Sequence, residues 1–421
     1  MKTHAIFAAL AVLLSGAIQS RAAITIPGAD GSDGVLNITA NTVIDLSQAV
    51  TGVWDANNTA NAGKGIYDPS KWAVVFKYSS VTVNAGVTVT FKNHASRAPV
   101  VWLVSGNVTI SGTVVLDGAI GTASPGLAEP GPGGFRGGMG IYAANLTGSA
   151  GLGVGGGGMP GGNDGYAGSY GSIGQNGPIA YGNPSLIPLI GGSGGSGTNS
   201  NNGNQPSGGG GGGGAILIAC ANTVSISGQL RANGGNGATP NYGGGSGSGG
   251  GIRLVTETFA GVGAVSALGG LARNPGGDGR IRIERANNSY SGPLTPPSPS
   301  VIPLGPTDTA LLWPPADAPQ VKIVSIGGQN IGADPLASFG TFGADAALPQ
   351  TASTQVLIET TNVEQASQVK VRGTPRSNGT YTEVAATVST VVSNTPLVVR
   401  WTATLPVGVG YSAVQVKVIR P

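Results

Sequence analysis

Side chains that could catalyse a reaction are scarce in this sequence. Apart from His4 at the start, its one histidine is His94, within the turn-like stretch 92–96. A Ser–His–Asp arrangement would have to use His94, and no Gly-x-Ser-x-Gly elbow stands at a strand–helix junction. We therefore predict that His94 is a solvated turn residue and that the chain has no catalytic triad.

The carboxylates are the second candidates, because enzymes that cleave acidic polysaccharides use clustered acids with a basic partner. Asp117, Asp278 and Glu284 lie near strand-like segments that also contain arginines. No two of these acids recur at an offset that would stack them in one groove. We expect Asp117 to cap backbone groups in a turn, and a polysaccharide lyase or glycoside hydrolase remains the alternative.

Metal and phosphate sites are poorly supported. Cys220 is the only cysteine, so the histidine and thiolate set of a zinc site is missing. Asp30–Gly34 is only a fragment of a calcium loop, and Gly276–Ile281 matches a single unit of a calcium-binding nonapeptide repeat. We predict no metal and no cofactor, with Cys220 as a small buried hydrophobe.

Aromatic and basic side chains provide the candidate binding residues. Tyrosine set among glycine, serine and asparagine makes a contact surface of low entropy cost, although the same rings could simply anchor glycine-rich loops. The tyrosines are Tyr142, Tyr166, Tyr170, Tyr181 and Tyr242. A predicted outward ladder adds Trp102, Arg253 and Arg282.

Internal repeats indicate which elements position these side chains. The segment 81–89 aligns with 108–116 without a gap, and Val108–Gly112 aligns with Val224–Gly228. A more degenerate copy begins at Phe259. Each copy alternates apolar and polar residues and ends in glycine or asparagine, which predicts β-strands.

Repeats of this kind predict an all-β solenoid, because one repeat cannot bury its own apolar side and must stack on its neighbours. The residues expected to face inward are Val81, Val83, Val108, Ile110, Ile216, Ile218, Val224, Ile226, Ile252, Leu254, Ile281 and Ile283. The expected outward ladder consists of Trp102, Leu217, Arg253 and Arg282.

Most of the 76 glycines interrupt this solenoid. Glycine recurs at every third residue from Gly162 to Gly177 and from Gly131 to Gly140. Polyproline II helices have three residues per turn, so such spacing lets them approach one another closely. Packed polyproline II segments, irregular ordered loops and disorder are the three alternatives for these insertions.

The C-terminal part has a different pattern. Nine prolines in 291–319 predict an extended linker without ladder hydrogen bonds. Beyond it, 320–421 contains six or seven short strands separated by turn residues, which indicates a β-sandwich of the immunoglobulin or fibronectin type. Trp401 is expected in its core.

The N-terminus predicts export. Residues 1–22 combine a charged start, a short apolar run and a small-residue cleavage site, as in a secretory signal. Cleavage would remove Lys2 and Arg21 and lower the net charge from +3 to about +1. So small a net charge gives no basic field for nucleic acid binding, and charged residues make up only 9% of the chain. The apolar run is too short to span a bilayer and no second apolar stretch of about 20 residues follows, so we expect no membrane span.

The repeats, with the glycine runs that lead into Ala215–Ile218, resemble secreted glycine-rich bacterial proteins with the right-handed parallel β-helix of the pectate-lyase-like fold. The resemblance covers about 24–290 and implies a solenoid over 23–290. The family's catalytic Asp and Arg pattern has no identifiable counterpart here.

Together these features predict a non-catalytic extracellular structural or adhesive protein. Its partners would be further copies of itself, an extracellular polysaccharide or a cell surface. A solenoid has open strand edges on which another copy can stack, and a surface with few charges allows copies to pack closely. A third alternative is an ice- or surface-binding protein, for which Thr82, Thr88, Thr90 and Thr109 are fragments of a threonine ladder.

Overall fold

The computed structural model describes residues 24–123, 126–141, 147–158, 164–198, 206–239, 243–305, 308–336, 338–339, 343–349, 352–377 and 379–421. Over these ranges the chain is nearly all β, as predicted, with two short 3₁₀ turns at Leu46–Gln48 and Thr59–Asn61. No helix in the described ranges has the length and apolar character needed to cross a bilayer. The predicted signal, 1–22, lies outside them.

Sixteen strands form a ten-stranded and a six-stranded sheet. They are β1 (Gly34–Ile38), β2 (Thr42–Asp45), β3 (Val50–Thr51), β4 (Ile66–Asp68), β5 (Ala73–Val83), β6 (Thr88–Lys92), β7 (Val100–Val104), β8 (Val108–Ile110), β9 (Thr113–Val115), β10 (Ala215–Ile226), β11 (Gln229–Arg231), β12 (Gly251–Gly261), β13 (Ala264–Ser266), β14 (Arg280–Tyr290), β15 (Leu294–Thr295) and β16 (Ser300–Pro303). Their pairings are parallel except for that of β4 with β5.

The strands of these sheets pair in the register that the sequence repeats predict. Val81 pairs with Val108, Val108 pairs with Val224, and Val224 pairs with Phe259. The repeat offsets therefore place equivalent residues side by side, even though about 100 residues separate β9 from β10 in the chain.

One buried cluster contains the whole predicted inward set, from Val81 to Ile283. A second cluster lies on the opposite side of the ten-stranded sheet, where Val101, Leu103 and Leu217 contact Ile24 and Leu312 from outside the strands. Half of this sheet is thus buried on both sides.

The predicted linker is wrong in one respect, because part of it joins the sheets. Strand β16 extends the ten-stranded sheet, with Arg282 opposite Ser300 and Arg285 opposite Pro303. Further along, Ala310 and Leu312 are buried in the second cluster. Edge strands tolerate proline because one of their sides needs no ladder hydrogen bond.

The glycine-rich insertions contain few strands, yet their backbone groups are paired in a regular way. Along Gly208–Gly214, residues 208, 211 and 214 donate to the carbonyls of residues 122, 119 and 116. Residues 209 and 212 donate to 138 and 135, whereas residues 210 and 213 donate to 245 and 248. Partners therefore change with a period of three residues.

Carbonyls of the same segment accept hydrogen bonds from three further segments. Gly131 donates to Gly212, Gly195 donates to Gly210, and Gly235 donates to Gly211. Six segments therefore surround the buried stretch 208–214. A Cβ on Gly212 would lie 2.0 Å from the carbonyl oxygen of Gly192, so no larger residue fits.

Eight strands form the C-terminal part, in antiparallel sheets of five and three strands. They are β17 (Gln320–Ile326), β18 (Gln329–Asn330), β19 (Ser353–Thr361), β20 (Gln368–Pro375), β21 (Thr382–Ala385), β22 (Thr387–Asn394), β23 (Leu397–Pro406) and β24 (Ser412–Ile419). Both sheets contribute to one buried cluster. Trp401 is buried there, as expected, and the predicted strand 382–392 divides between the two sheets.

Candidate binding face

Trp102 was expected to face outward, and that expectation is wrong. It pairs with Ile218 rather than with Leu217, so it lies on the inward side and is fully buried. Its ring packs edge-on against Tyr78, with centroids 6.1 Å apart. Because every residue of β7 is apolar, its sequence has no alternation that shows which residues face inward.

Arg253 and Arg282 do share one row with Leu217, but the chain covers that row. Arg253 is 1% exposed and donates to Glu284 at 2.8 Å and to the carbonyl oxygen of Leu311. Arg282 donates to the same carboxylate at 2.8 Å. Arg253 thus holds the chain at Leu311 against the sheet, and these charges do not form a binding ladder.

The predicted tyrosines do not form one common surface. Tyr142 and Tyr242 lie outside the described residues. Tyr170 and Tyr181 contact each other with centroids 4.8 Å apart, and they donate to the carbonyl oxygens of Ile190 and Gly191. Burial raises the pKa of both phenols. These two rings anchor the glycine-rich segments, whereas Tyr166 is only half-buried.

The ionisable side chains near the sheets are engaged in structural contacts. Asp117 pairs with Arg231 and accepts from the backbone nitrogen of Asn233, so it caps the next repeat rather than its own turn. The fully buried ammonium of Lys77 lies 3.1 Å from Asp30, where the calcium-loop resemblance had suggested a cation. The described residues contain no group of three or more His, Cys, Asp or Glu suited to a metal ion.

His94 is half-buried instead of solvated. Its ring packs at a tilt of 31° against Tyr67, with centroids 4.0 Å apart, and its Nδ1 lies 2.9 Å from the Ser96 hydroxyl. Burial lowers its pKa. Because Ser96 also directs its backbone nitrogen at Nδ1, this contact is a local turn.

Cys220 is buried, as predicted, and its thiol points at the carbonyl oxygen of Gly106 at 3.0 Å. Burial raises its pKa to about 11. This thiol is therefore neutral in the folded protein at physiological pH.

A regular exposed feature is a row of small residues, polar except for one alanine, across six neighbouring strands of the ten-stranded sheet. From Asn37 to Ser225 the row members stand between two aliphatic residues that face the buried cluster, so they point to the opposite side. The row comprises Asn37, Thr82, Thr109, Ser225, Ala260 and Ser289. All six are half-buried or exposed.

A second row runs beside the first, two residues earlier in each strand. Its members with a direct register are Val35 opposite Ser80, and Thr223, Thr258 and Asn287 side by side. Asn107 joins them, because its side-chain oxygen accepts from the backbone nitrogen of Thr223 at 3.2 Å. We call these two rows the hydroxyl face.

The grid of the hydroxyl face follows from strand geometry. Neighbouring strands lie about 4.8 Å apart, and residues two apart in one strand are separated by about 6.6 Å. Beyond the first row, the hydroxyls of Ser111 and Ser227 lie 3.2 Å apart. None of the residues in either row carries a charge, so the face offers only hydrogen-bonding groups and methyls.

The hydroxyl face is largely missing from the sequence-based site. Of its residues, Thr82 and Thr109 had been noted as ladder fragments, and Thr88 and Thr90 belong to the other sheet in β6. The alignment of the repeats could have predicted the first row. It places Thr82, Thr109 and Ser225 at one position between paired aliphatics.

Compared with known protein families, curated proteins and solved structures, the chain has no match. Its function must therefore be argued from its own surfaces.

Proposed function

We propose that this chain is a non-catalytic extracellular adhesive protein whose hydroxyl face binds an extended, uncharged polysaccharide surface. The supporting observation is the stacking of side chains in two rows over six strands, where all but Val35 and Ala260 carry a hydroxyl or an amide. We infer that the parallel sheets are successive faces of a solenoid, that a β-sandwich follows, and that the insertions pack as polyproline II-like helices. The three-residue period of their backbone pairing supports the last point.

A polysaccharide surface suits this face for chemical reasons. Such a polymer presents neutral hydroxyls at every sugar, and each can donate and accept hydrogen bonds. Thr and Ser hydroxyls also do both, and Asn adds a donor and an acceptor. The strand spacing of about 4.8 Å is close to the length of one sugar in an extended chain, so contacts can repeat from strand to strand.

Binding to a surface is favoured over stacking of this chain into fibres. Strands β15 and β16 form one end of the parallel sheets, and Pro293, Pro296 and Pro303 stand in or beside them. Proline in an edge strand opposes pairing with another molecule. The prolines thus make head-to-tail growth from this end unfavourable.

The enzyme alternative receives less support. Asp117 and Glu284 are both held by arginines, and an acid–base pair needs groups free to exchange protons. Ice binding is a second candidate, because regularly spaced hydroxyls and methyls could match a repeating lattice of water.

The test is depletion of the purified, exported protein by insoluble cellulose, chitin and β-1,3-glucan. The variant T82V/T109V/S225A removes three neighbouring hydroxyls while conserving most of the shape. We expect the wild type to bind at least one polymer and the variant to bind it about tenfold more weakly, a change of about 1.4 kcal/mol.

A matched control removes the same groups elsewhere. T387V/S389A/T390V changes two threonines and one serine on the exposed strand β22, and we expect it to bind like the wild type. Equal binding by both variants would show that the hydroxyl face is not the site. Release of unsaturated sugars from an added uronate polymer would establish a lyase, because β-elimination needs the acidic C5 proton of a uronate. Ice shaping lost only in the face variant would establish the second candidate.

A further inference from the structure

A large cleft separates the parallel sheets and glycine-rich segments from the C-terminal sheets. Its volume is about 1280 Å³, above the 300–1000 Å³ typical of pockets for drug-sized ligands. One wall includes Trp72, Arg97 and Arg136, and the other includes Asp334 and Tyr411. This volume could hold several linked sugar rings.

The two walls are held together by hydrogen bonds. The Tyr67 hydroxyl donates to Asp334 at 2.6 Å, and Arg136 donates to the carbonyl oxygen of Ser338 at 3.3 Å. Farther along, the buried Arg372 donates to the carbonyl oxygen of Gly153 at 3.1 Å. The cleft is therefore formed before any ligand arrives, which reduces the cost of ordering on binding.

Backbone strain is concentrated along this cleft. Trp72, Arg97 and Phe339 line it and have φ values of 47°, 56° and 50°. Only three other non-glycine residues of the described ranges have positive φ. Such conformations are strained for residues with a side chain and tend to cluster where a ligand is bound.

The chemistry of the walls indicates a neutral ligand. Arg97 and Arg136 both donate to Glu129, at 3.0 and 2.6 Å, so their charges are partly balanced within the protein. Trp72, Phe135 and Tyr411 add aromatic rings. Aromatic rings can stack on the apolar C–H faces of a sugar, and guanidinium N–H groups can donate to its hydroxyls. Together these groups suit a sugar ligand.

We propose that this cleft binds a neutral oligosaccharide, at a site separate from the hydroxyl face. The aromatic side chains contact the faces of the sugar rings, and the N–H groups that Arg97 does not direct at Glu129 or Ala95 hydrogen bond to hydroxyls. The buried Arg136 instead holds the cleft wall through Ser338. The cleft would take a soluble chain or a free end, whereas the hydroxyl face contacts a flat surface. Each site can therefore fail without the other.

The test is calorimetric titration of the intact protein with cello-, chito- and laminari-oligosaccharides of increasing length. Tyr411 is 48% exposed, so Tyr411→Ala should fold normally. We expect it to weaken binding about tenfold, the effect of losing one stacked ring, while Tyr411→Phe binds like the wild type. Arg97→Ala should also weaken binding.

The variant T82V/T109V/S225A separates the two proposals. If the cleft is the site, this variant binds oligosaccharides normally even where it no longer binds polymer. The proposal is overturned if none of the oligosaccharides binds to the wild type at millimolar concentration, if Tyr411→Ala and Arg97→Ala bind unchanged, or if the cleft binds unstructured peptides instead.

Discussion

The parallel sheets and the glycine-rich segments build ordered interiors in opposite ways. Between the sheets, the interior consists of aliphatic and aromatic side chains such as Ile110, Trp102 and Ile226, all fully buried. Around Gly208–Gly214 it consists of backbone alone, with each amide donating to a neighbouring segment. The sheets are stabilised by large buried side chains, whereas the glycine-rich segments pack closely because they have no side chains.

This difference means that a methyl group has opposite effects in the two regions. Removing buried carbon from the sheets leaves a cavity and loses apolar burial. Adding carbon to the glycine segments pushes neighbouring chains apart and breaks their hydrogen bonds. Glycine is required there for space, since Gly212 does not have a positive φ.

The largest effect is expected from Trp102→Ala. Deleting this buried ring should reduce the free energy of unfolding by about 3–5 kcal/mol, measured by urea denaturation. Trp102→Phe should cost less, because the buried indole nitrogen has no hydrogen-bond partner among the described residues. An unchanged midpoint for Trp102→Ala would mean that the side chain faces outward after all.

Gly212→Ala should have the next largest effect. Its added Cβ would lie 2.0 Å from a carbonyl oxygen, so we expect a loss of about 1–3 kcal/mol in the same assay. Gly408→Ala is the control, because nothing lies within 4 Å of its added Cβ, and it should stay within about 0.5 kcal/mol of the wild type. Equal stability of the two variants would contradict backbone packing.

The smallest effect concerns alkaline pH and Cys220. The thiol has its ordinary pKa of 9.0 when unfolded and a pKa of about 11 when folded, so the unfolded chain loses this proton first. Its contribution to stability is complete below pH 9 and is lost between about pH 9 and 11. Cys220→Ala should therefore show a shallower decline over that window in unfolding measured against pH.

A second measurement checks the same thiol. Alkylation at pH 8 should be slow in the native wild type and fast after denaturation, because the buried thiol is neutral and shielded. Fast native alkylation would show that Cys220 is accessible.

Much of the architecture could be predicted from the sequence, because the strand pattern and the repeats are local properties of the chain. The offset between Val81 and Val108 is the register of β5 with β8, and the alternation within each copy correctly identified the inward residues. The strands of 320–421 followed in the same way from alternation and turn residues.

Other features were decided only by the tertiary structure. Val100–Val104 is apolar throughout and buried on both sides, so the side taken by Trp102 depended on its pairing with Ile218. The row from Thr109 to Ser225 forms across a long insertion, and the cleft joins residues as distant as Tyr67 and Asp334. Glycine has no side chain to specify a neighbour, so the partners of 208–214 follow from how the strands at both ends of each insertion are stacked.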